Sequence, residues 1–323
     1  MRAVITTEPG GPDVLHVGDL PLPEPAADEV RIRVTAAGVN RADLLQRRGH
    51  YPPPKGISDI LGLEVSGHVD AVGASVTSWS VGDPCVALLA GGGYAEFVTV
   101  PAGQITAPPA GIPLITAGAL IEVAATVVSN FDHVHLQPGE TVLIHGGTGG
   151  VGSFAIQYAK RLGCTVIATA GSAAKLATCT DLGADVVLDH HDAWAAGVTD
   201  ATEGRGVDVI LDIMGAKYLP DHVAILARGG RLVVIGLQGG VKGELNLNRL
   251  LMKGATVTAT SLRYRPVAEK AAIVGRVTET AWPLISSGAV RLAGETRFAL
   301  DDAAGAHRYL EGGTAVGKAL LTL

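Results

Sequence analysis

Residues 141–152 read Thr-Val-Leu-Ile-His-Gly-Gly-Thr-Gly-Gly-Val-Gly, and this stretch decides how the chain is built. Thr141–His145 is a short apolar run bounded by Pro138-Gly139-Glu140 on one side and glycines on the other, as expected of a buried strand. Beyond the glycines, Val151, Phe154, Ala155, Tyr158, Ala159 and Leu162 recur at helical spacing until Gly163 stops the run. Gly147, Gly149 and Gly152 fit G-x-G-x-x-G. In a glycine-rich chain that pattern alone is weak. A strand before it, an amphipathic helix after it and a second strand at Thr165–Thr169 make it a dinucleotide-binding turn. On this reading Gly147 permits the turn, Gly149 lets backbone approach the pyrophosphate and Gly152 lets helix pack on strand. Gly150 and Val151 offer the N–H groups of the helix start to the phosphates.

Strand and helix patterns keep alternating C-terminal to this stretch. Helices are expected at Ala173–Leu182, 193–203, Leu219–Ala227 and Asn246–Met252, with strands at Asp185–Leu188, Val207–Ile213, Arg231–Ile235 and Thr256–Ser261. Such alternation implies a parallel sheet covered on both faces. The first hundred residues are different. Val30, Ile32 and Val34 alternate with Arg31, Arg33 and Thr35, and further strands are expected at Ala3–Thr7, Leu63–Val72, Pro84–Leu89 and Tyr94–Val100. Gly/Pro clusters separate them, which is a barrel-like all-β pattern. The C-terminal segment returns to a long helix, about 266–286, and short strand-like pieces.

Composition narrows the function classes. The 323 residues carry 25 Lys and Arg against 31 Asp and Glu, a formal net charge of −6. Apolar residues make up 47%, which excludes whole-chain disorder, and no basic block marks a nucleic-acid footprint. Glycine, at 43 residues, is about twice its usual share of roughly 7%. The N-terminus lacks the apolar core of a signal peptide, and no stretch reads as a spanning helix. Cys85, Cys164 and Cys179 are too few and too widely spaced for a disulfide framework or zinc module. The expectation is a cytoplasmic protein with reduced thiols.

The end of the second strand chooses the nucleotide. Residues 169–175, Thr-Ala-Gly-Ser-Ala-Ala-Lys, contain no carboxylate for a ribose hydroxyl. Ser172 and Lys175 suit a 2′-phosphate instead, so NADPH is the expected cofactor; the bland alternative makes Ser172 a helix cap and Lys175 a solvated charge. Met214, Gly236 and Leu237 follow later strands, where ligands of open α/β sheets lie.

Taken together, the chain resembles the medium-chain dehydrogenase/reductase superfamily along essentially its whole length. The likeness is closest to the zinc-free quinone oxidoreductase (zeta-crystallin-like) branch and, within it, the tumour-suppressor-inducible subgroup. It rests on residues 38–44 (GVNRADL), 48–54 (RGHYPPP), 60–67 (ILGLEVSG), 89–95 (LAGGGYA), 142–152 and Gly317-Lys318. The resemblance implies a GroES-like β-barrel catalytic domain, residues 1–120 and 266–323, and a Rossmann doubly wound cofactor domain, residues 121–265. Where zinc-dependent relatives carry metal ligands, this chain has Asn40, Leu63 and Thr126, and the cysteine-rich structural zinc lobe is absent. No metal ligand set is therefore expected. His133/His135 and His190/His191, without a thiolate nearby, are read as surface or pocket histidines.

Without a Lewis acid a conjugated acceptor is easier to reduce than a simple ketone. The resemblance implies Tyr51 beside the nicotinamide as hydrogen-bond donor to the acceptor oxygen, the bland alternative being a gate or packing residue beside the prolines, with Asn40 and Asp43 as polar site residues; Asp43 could instead pair with Arg47. It also implies that Thr126 contacts the nicotinamide and His190 the adenosine 2′-phosphate. Ser261, Leu262 and Arg263 follow the sixth strand and are expected to cover the cofactor; the bland alternative makes Arg263 and Arg265 solvated charges. Three functions stay open: an NADPH:quinone reductase, an NADPH-dependent enoyl reductase of conjugated carbonyls or acyl-thioesters, and an NADPH-binding protein with little catalysis. Family precedent and the sheet edge at Thr256–Ser261 imply a homodimer.

Overall fold

The computed structural model describes residues 1–323. The chain forms two compact units, one of Met1–Thr126 with Leu262–Leu323 and one of Val127–Ser261.

The first unit is organised by one long strand, Glu29–Val39. Val30 and Ile32 are fully buried and Arg31 and Arg33 are not, as the two-residue period requires. Its first half pairs with Phe97–Pro101 and its second half with Lys318–Thr322, both antiparallel. That C-terminal strand explains why the last sixty residues belong with the first hundred. Beyond it lies Glu295–Ala299; on the other side the sheet continues through Glu64–Val72, Pro84–Leu88 and Ile105–Thr106. Val30, Ile32, Leu44, Val65, Val69 and Tyr94 share the core. Each such buried aliphatic contributes about 1.5–3 kcal/mol.

Several elements depart from the sequence expectation. The strand expected from Tyr94 starts at Phe97, leaving Tyr94 fully buried in the preceding turn. The expected long helix is two, Val267–Thr280 and Trp282–Ser286, because Pro283 lacks the N–H to continue the first and suits the opening turn of the second. A further helix, Ala303–Glu311, capped by Asp302 through the Gly305 N–H, had no counterpart in the reading.

The second unit is a six-stranded parallel sheet in the order Val186–Asp189, Thr165–Ala170, Thr141–Ile144, Val207–Asp212, Leu226–Val234 and Thr256–Ala259. Numbered along the chain this is 3-2-1-4-5-6, the doubly wound arrangement. Leu143, Ile167 and Ile210 align across the three central strands and are buried on both faces, hence their near-continuous apolar runs. The direction of winding reverses between the first and fourth strands, and the glycine loop leaves the first.

Candidate active site

In the second unit the helix Gly150–Arg161 begins directly after the loop, with Gly149 at its N-cap and no side chain capping it. The three motif glycines have different reasons to be glycine. A Cβ on Gly152 would lie 2.2 Å from the Gly146 carbonyl oxygen, so helix and strand meet there. A Cβ on Gly147 would strike Cys179 Sγ at 2.6 Å. The turn itself is made by Gly146, at φ 67°, and not by Gly147 as the motif suggested. Gly149 is exposed, and a Cβ there would meet only Gly146 O, at 3.4 Å. Its open surface and the adjoining uncapped N–H groups fit a pyrophosphate.

Ser172 caps the helix Ala173–Asp181 by accepting the Lys175 N–H at 3.4 Å. The cap and a phosphate role are compatible, since the hydroxyl keeps its own proton to donate. His190 overlies the same corner: its Cε1 sits 2.4 Å from where a Gly171 Cβ would be, and the charge of Lys175 reaches it. Burial, then His191, lowers the His190 pKa. The strand end therefore brings Ser172, Lys175 and His190 together. Met214 and Gly215 are held by their N–H groups on Asp212, at 2.7 and 2.8 Å. Burial raises the Asp212 carboxyl to about 6. Gly236 approaches the Ile213 backbone too closely for a side chain, and Leu237 is exposed beside it. Ser261 is the last residue of this unit and is exposed.

In the first unit, Asn40 precedes the helix Arg41–Arg47 and is itself buried. Its side-chain amide donates to Glu64 Oε1 at 3.0 Å and accepts from Lys318 Nζ. Lys318 also bonds Glu64 at 2.6 Å. Gly38 makes room for that carboxylate, because a Cβ there would lie 2.1 Å from Glu64 Oε1. The other Glu64 oxygen takes the Glu122 N–H at 3.0 Å. Burial pushes the Glu122 carboxyl up to about 7 against the pull of Lys318, and Thr126 donates its hydroxyl to it at 3.3 Å.

Asp43 is fully buried and spends its oxygens on the N–H groups of Asn40 (2.7 Å) and Gly62 (2.9 Å). It shapes the two backbone segments that carry Asn40 and Leu63, and burial raises its pKa to about 6. The alternative partner Arg47 lies elsewhere: it bonds Gly10 O, His307 Nδ1 and Glu311, while His307 Nε2 meets the Tyr94 hydroxyl.

Tyr51 is half-buried on the loop after that helix. Tyr264 packs edge-on against it at 5.5 Å between centroids, and the Arg263 guanidinium sits 5.2 Å over its ring. Arg263 is not the solvated charge of the bland alternative. It is 4% exposed and donates to Ala90 O, Tyr51 O and Gln46 Oε1. Burial lowers its pKa. The neighbouring Leu262 is half-buried, and Arg265 does remain near the surface, paired with Glu269. Sequence reasoning thus missed Glu122, Asp212, the contacts that Arg263 makes and the part that Glu64 and Lys318 play, although the last two stand in motifs that it had quoted.

The alcohol dehydrogenase GroES-like domain matches residues 26–113, and the zinc-binding dehydrogenase domain matches residues 150–276. The quinone oxidoreductase of Pseudomonas aeruginosa is 35% identical over 97% of this chain and 96% of its own. The chain belongs to the medium-chain dehydrogenase/reductase superfamily. It is accordingly an oxidoreductase. Among solved structures, the Escherichia coli quinone oxidoreductase in complex with NADPH is 28% identical, with a TM-score of 0.90 and full coverage of both chains. The CurK enoyl reductase is also 28% identical, with a TM-score of 0.86 over 99% of this chain and 98% of that one.

Proposed function

We propose that this superfamily member is a zinc-independent NADPH:quinone reductase. One observation carries the cofactor choice: Ser172, Lys175 and His190 gather at the ends of the second and third strands, with no carboxylate at the end of the second. A hydroxyl, an ammonium and an imidazole suit a 2′-phosphate, which NADPH carries and NADH lacks. Bound NADPH supplies the hydride that reduces the acceptor.

The chain's own residues bind and orient. Gly149, Gly150 and Val151 hold the pyrophosphate and Gly152 keeps the helix start against the strand. Met214, Gly236, Leu237, Ser261 and Leu262 contact the dinucleotide further along. Thr126 contacts the nicotinamide. The Tyr51 phenol donates a hydrogen bond to the acceptor oxygen and passes it a proton. Arg263 keeps the Tyr51 loop in place through its carbonyl. Asn40 presents one edge of the site, and Asp43 acts through the Asn40 backbone and not on the acceptor itself. The Asn40 side chain is bonded to an ammonium and a carboxylate, and this supports a site that works without zinc. The kinship to quinone oxidoreductases supports a quinone as acceptor, and the kinship to an enoyl reductase keeps conjugated carbonyls as the second reading. Turnover with NADPH against a quinone panel and an enoyl-thioester panel separates the two. Greater turnover on enoyl-thioesters overturns the quinone assignment, and tight NADPH binding with no turnover on either panel favours a cofactor-binding role.

A further inference from the structure

The third strand of the parallel sheet, Val186–Asp189, ends in an arrangement that the phosphate role does not exhaust. In a continuing strand Asp189, His190 and His191 would alternate between faces. Here the His190 N–H makes the last ladder bond, to Ala170 O at 3.1 Å, and the chain then turns: the Asp192 N–H returns to Asp189 O at 3.2 Å and the His191 N–H folds onto the Asp189 side chain at 2.9 Å. The chain bends at this point and all three side chains gather. One carboxylate oxygen and one ring nitrogen from each histidine lie within 4.8 Å of one another, and no other trio of His, Cys, Asp or Glu in the chain does so. His191 Nδ1 is 2.8 Å from Asp189 Oδ1, and the two imidazoles stand 4.2 Å apart at 36°. Both rings lie over Gly171, where a Cβ would come within 2.4 Å of His190 Cε1 and 3.0 Å of His191 Cε1.

We infer that Asp189, His190 and His191 form a three-ligand site for a divalent transition-metal ion such as Zn²⁺, and that metal bound there competes with the 2′-phosphate of NADPH for His190. Two imidazoles and a carboxylate are the borderline donors that zinc prefers. Tetrahedral donors at zinc bond lengths lie about 3.3 Å apart, so the site closes by rotation of exposed side chains. Three protein donors leave the fourth position to water. The sequence reading lacked Asp189, whose carboxylate turns a histidine pair into a trio. By contrast, His133 is held by Thr258 Oγ1 at 3.0 Å and gains no third ligand. The competition rests on the NADPH reading above; the metal site does not.

Calorimetric titration of ZnCl₂ into metal-free protein tests the site without any nucleotide. One equivalent is expected to bind, with His190→Ala and His191→Ala each weakening it by about 10–100-fold or more. The double variant His133→Ala/His135→Ala serves as control and should bind as the parent does. No binding, or equal affinity in all variants, overturns the site. His191 is exposed, so its variant folds even where that of His190 does not. Fluorescence titrations of NADPH and NADH with and without zinc then test the competition. The 2′-phosphate gives NADPH its own affinity for zinc, so the control is the variant that lacks the site: zinc should raise the apparent Kd of NADPH well beyond that of NADH in the parent, and much less in His191→Ala. Equal effects in parent and variant overturn the competition. Absence of NADPH binding before zinc is added overturns the cofactor reading, while the calorimetric result stands on its own.

Discussion

At the scale of single residues, the first unit concentrates charge where solvent does not reach. Lys318 is the one ammonium bonded to Glu64, and both are buried. Replacing one partner of such a pair leaves the other charge uncompensated, at a cost of about 3–5 kcal/mol. Lys318→Met should therefore lower the denaturation midpoint sharply, and the double variant with Glu64→Gln should recover much of the loss; chemical denaturation reads both. Glu122 makes a pH-dependent contribution of opposite sense to an ordinary salt-bridged carboxylate. Its folded pKa of about 7 lies above the usual 4.5 of a glutamate, so the folded state holds the proton more tightly. Stability is then greatest at acidic pH and falls as pH rises from about 4.5 to 7, with Asp43 and Asp212 adding in the same direction. Glu122→Gln should flatten the decline of Tm between pH 5 and 8, and an unchanged profile would contradict the assignment. For Tyr51, the phenylalanine variant keeps the ring contacts with Tyr264 and Arg263 and loses only the donor. It should reduce kcat with quinones on the order of 10²-fold while leaving NADPH affinity intact.

At the scale of elements, the junction of strand and helix at the glycine loop is the most constrained. A Cβ at Gly152 meets backbone and no flexible side chain. Gly152→Ala should weaken NADPH binding more than tenfold, as measured by fluorescence titration. The sheet edge is a second testable element. Thr256–Ala259 is the last strand of its sheet, its sequence carries no charge or proline, and the preceding helix Leu247–Lys253 exposes Leu247, Leu251 and Met252. Natural sheets cover or pair an open edge flanked by apolar side chains. We propose that two such edges pair about a two-fold axis, giving a homodimer. Light scattering should report twice the chain mass, reduced to one in Leu251→Lys/Met252→Lys; a monomeric parent would contradict it.

At the scale of the whole molecule, the two units differ in how openly the sequence declares them. The parallel sheet was legible because each of its strands is locally apolar and each crossover is bounded by glycine or a cap, as at Gly163 and Ser172. The first unit was legible only in its alternation. Its closing strand, Lys318–Thr322, pairs with residues some 280 positions earlier, and no local pattern announces that register. Even the boundary between the units is blurred. The helix Ile121–His133 runs through the division at 126/127, where the sequence reading had placed it at 120/121. The same distance hid the site: Lys318 and Glu64 are 254 residues apart, and Arg263 finds Gln46, Tyr51 and Ala90 from the far end of the chain. A buried arginine and a solvated one look alike until the carbonyls around them are known.

The most direct test of the account is NADPH oxidation by a small quinone, followed through nicotinamide absorbance in the presence of a strong chelator, in parent protein and in Lys175→Ala. The account predicts chelator-resistant turnover, with the variant raising KM for NADPH far more than for NADH. Turnover abolished by the chelator, or a variant with equal KM changes for the two nucleotides, would contradict it.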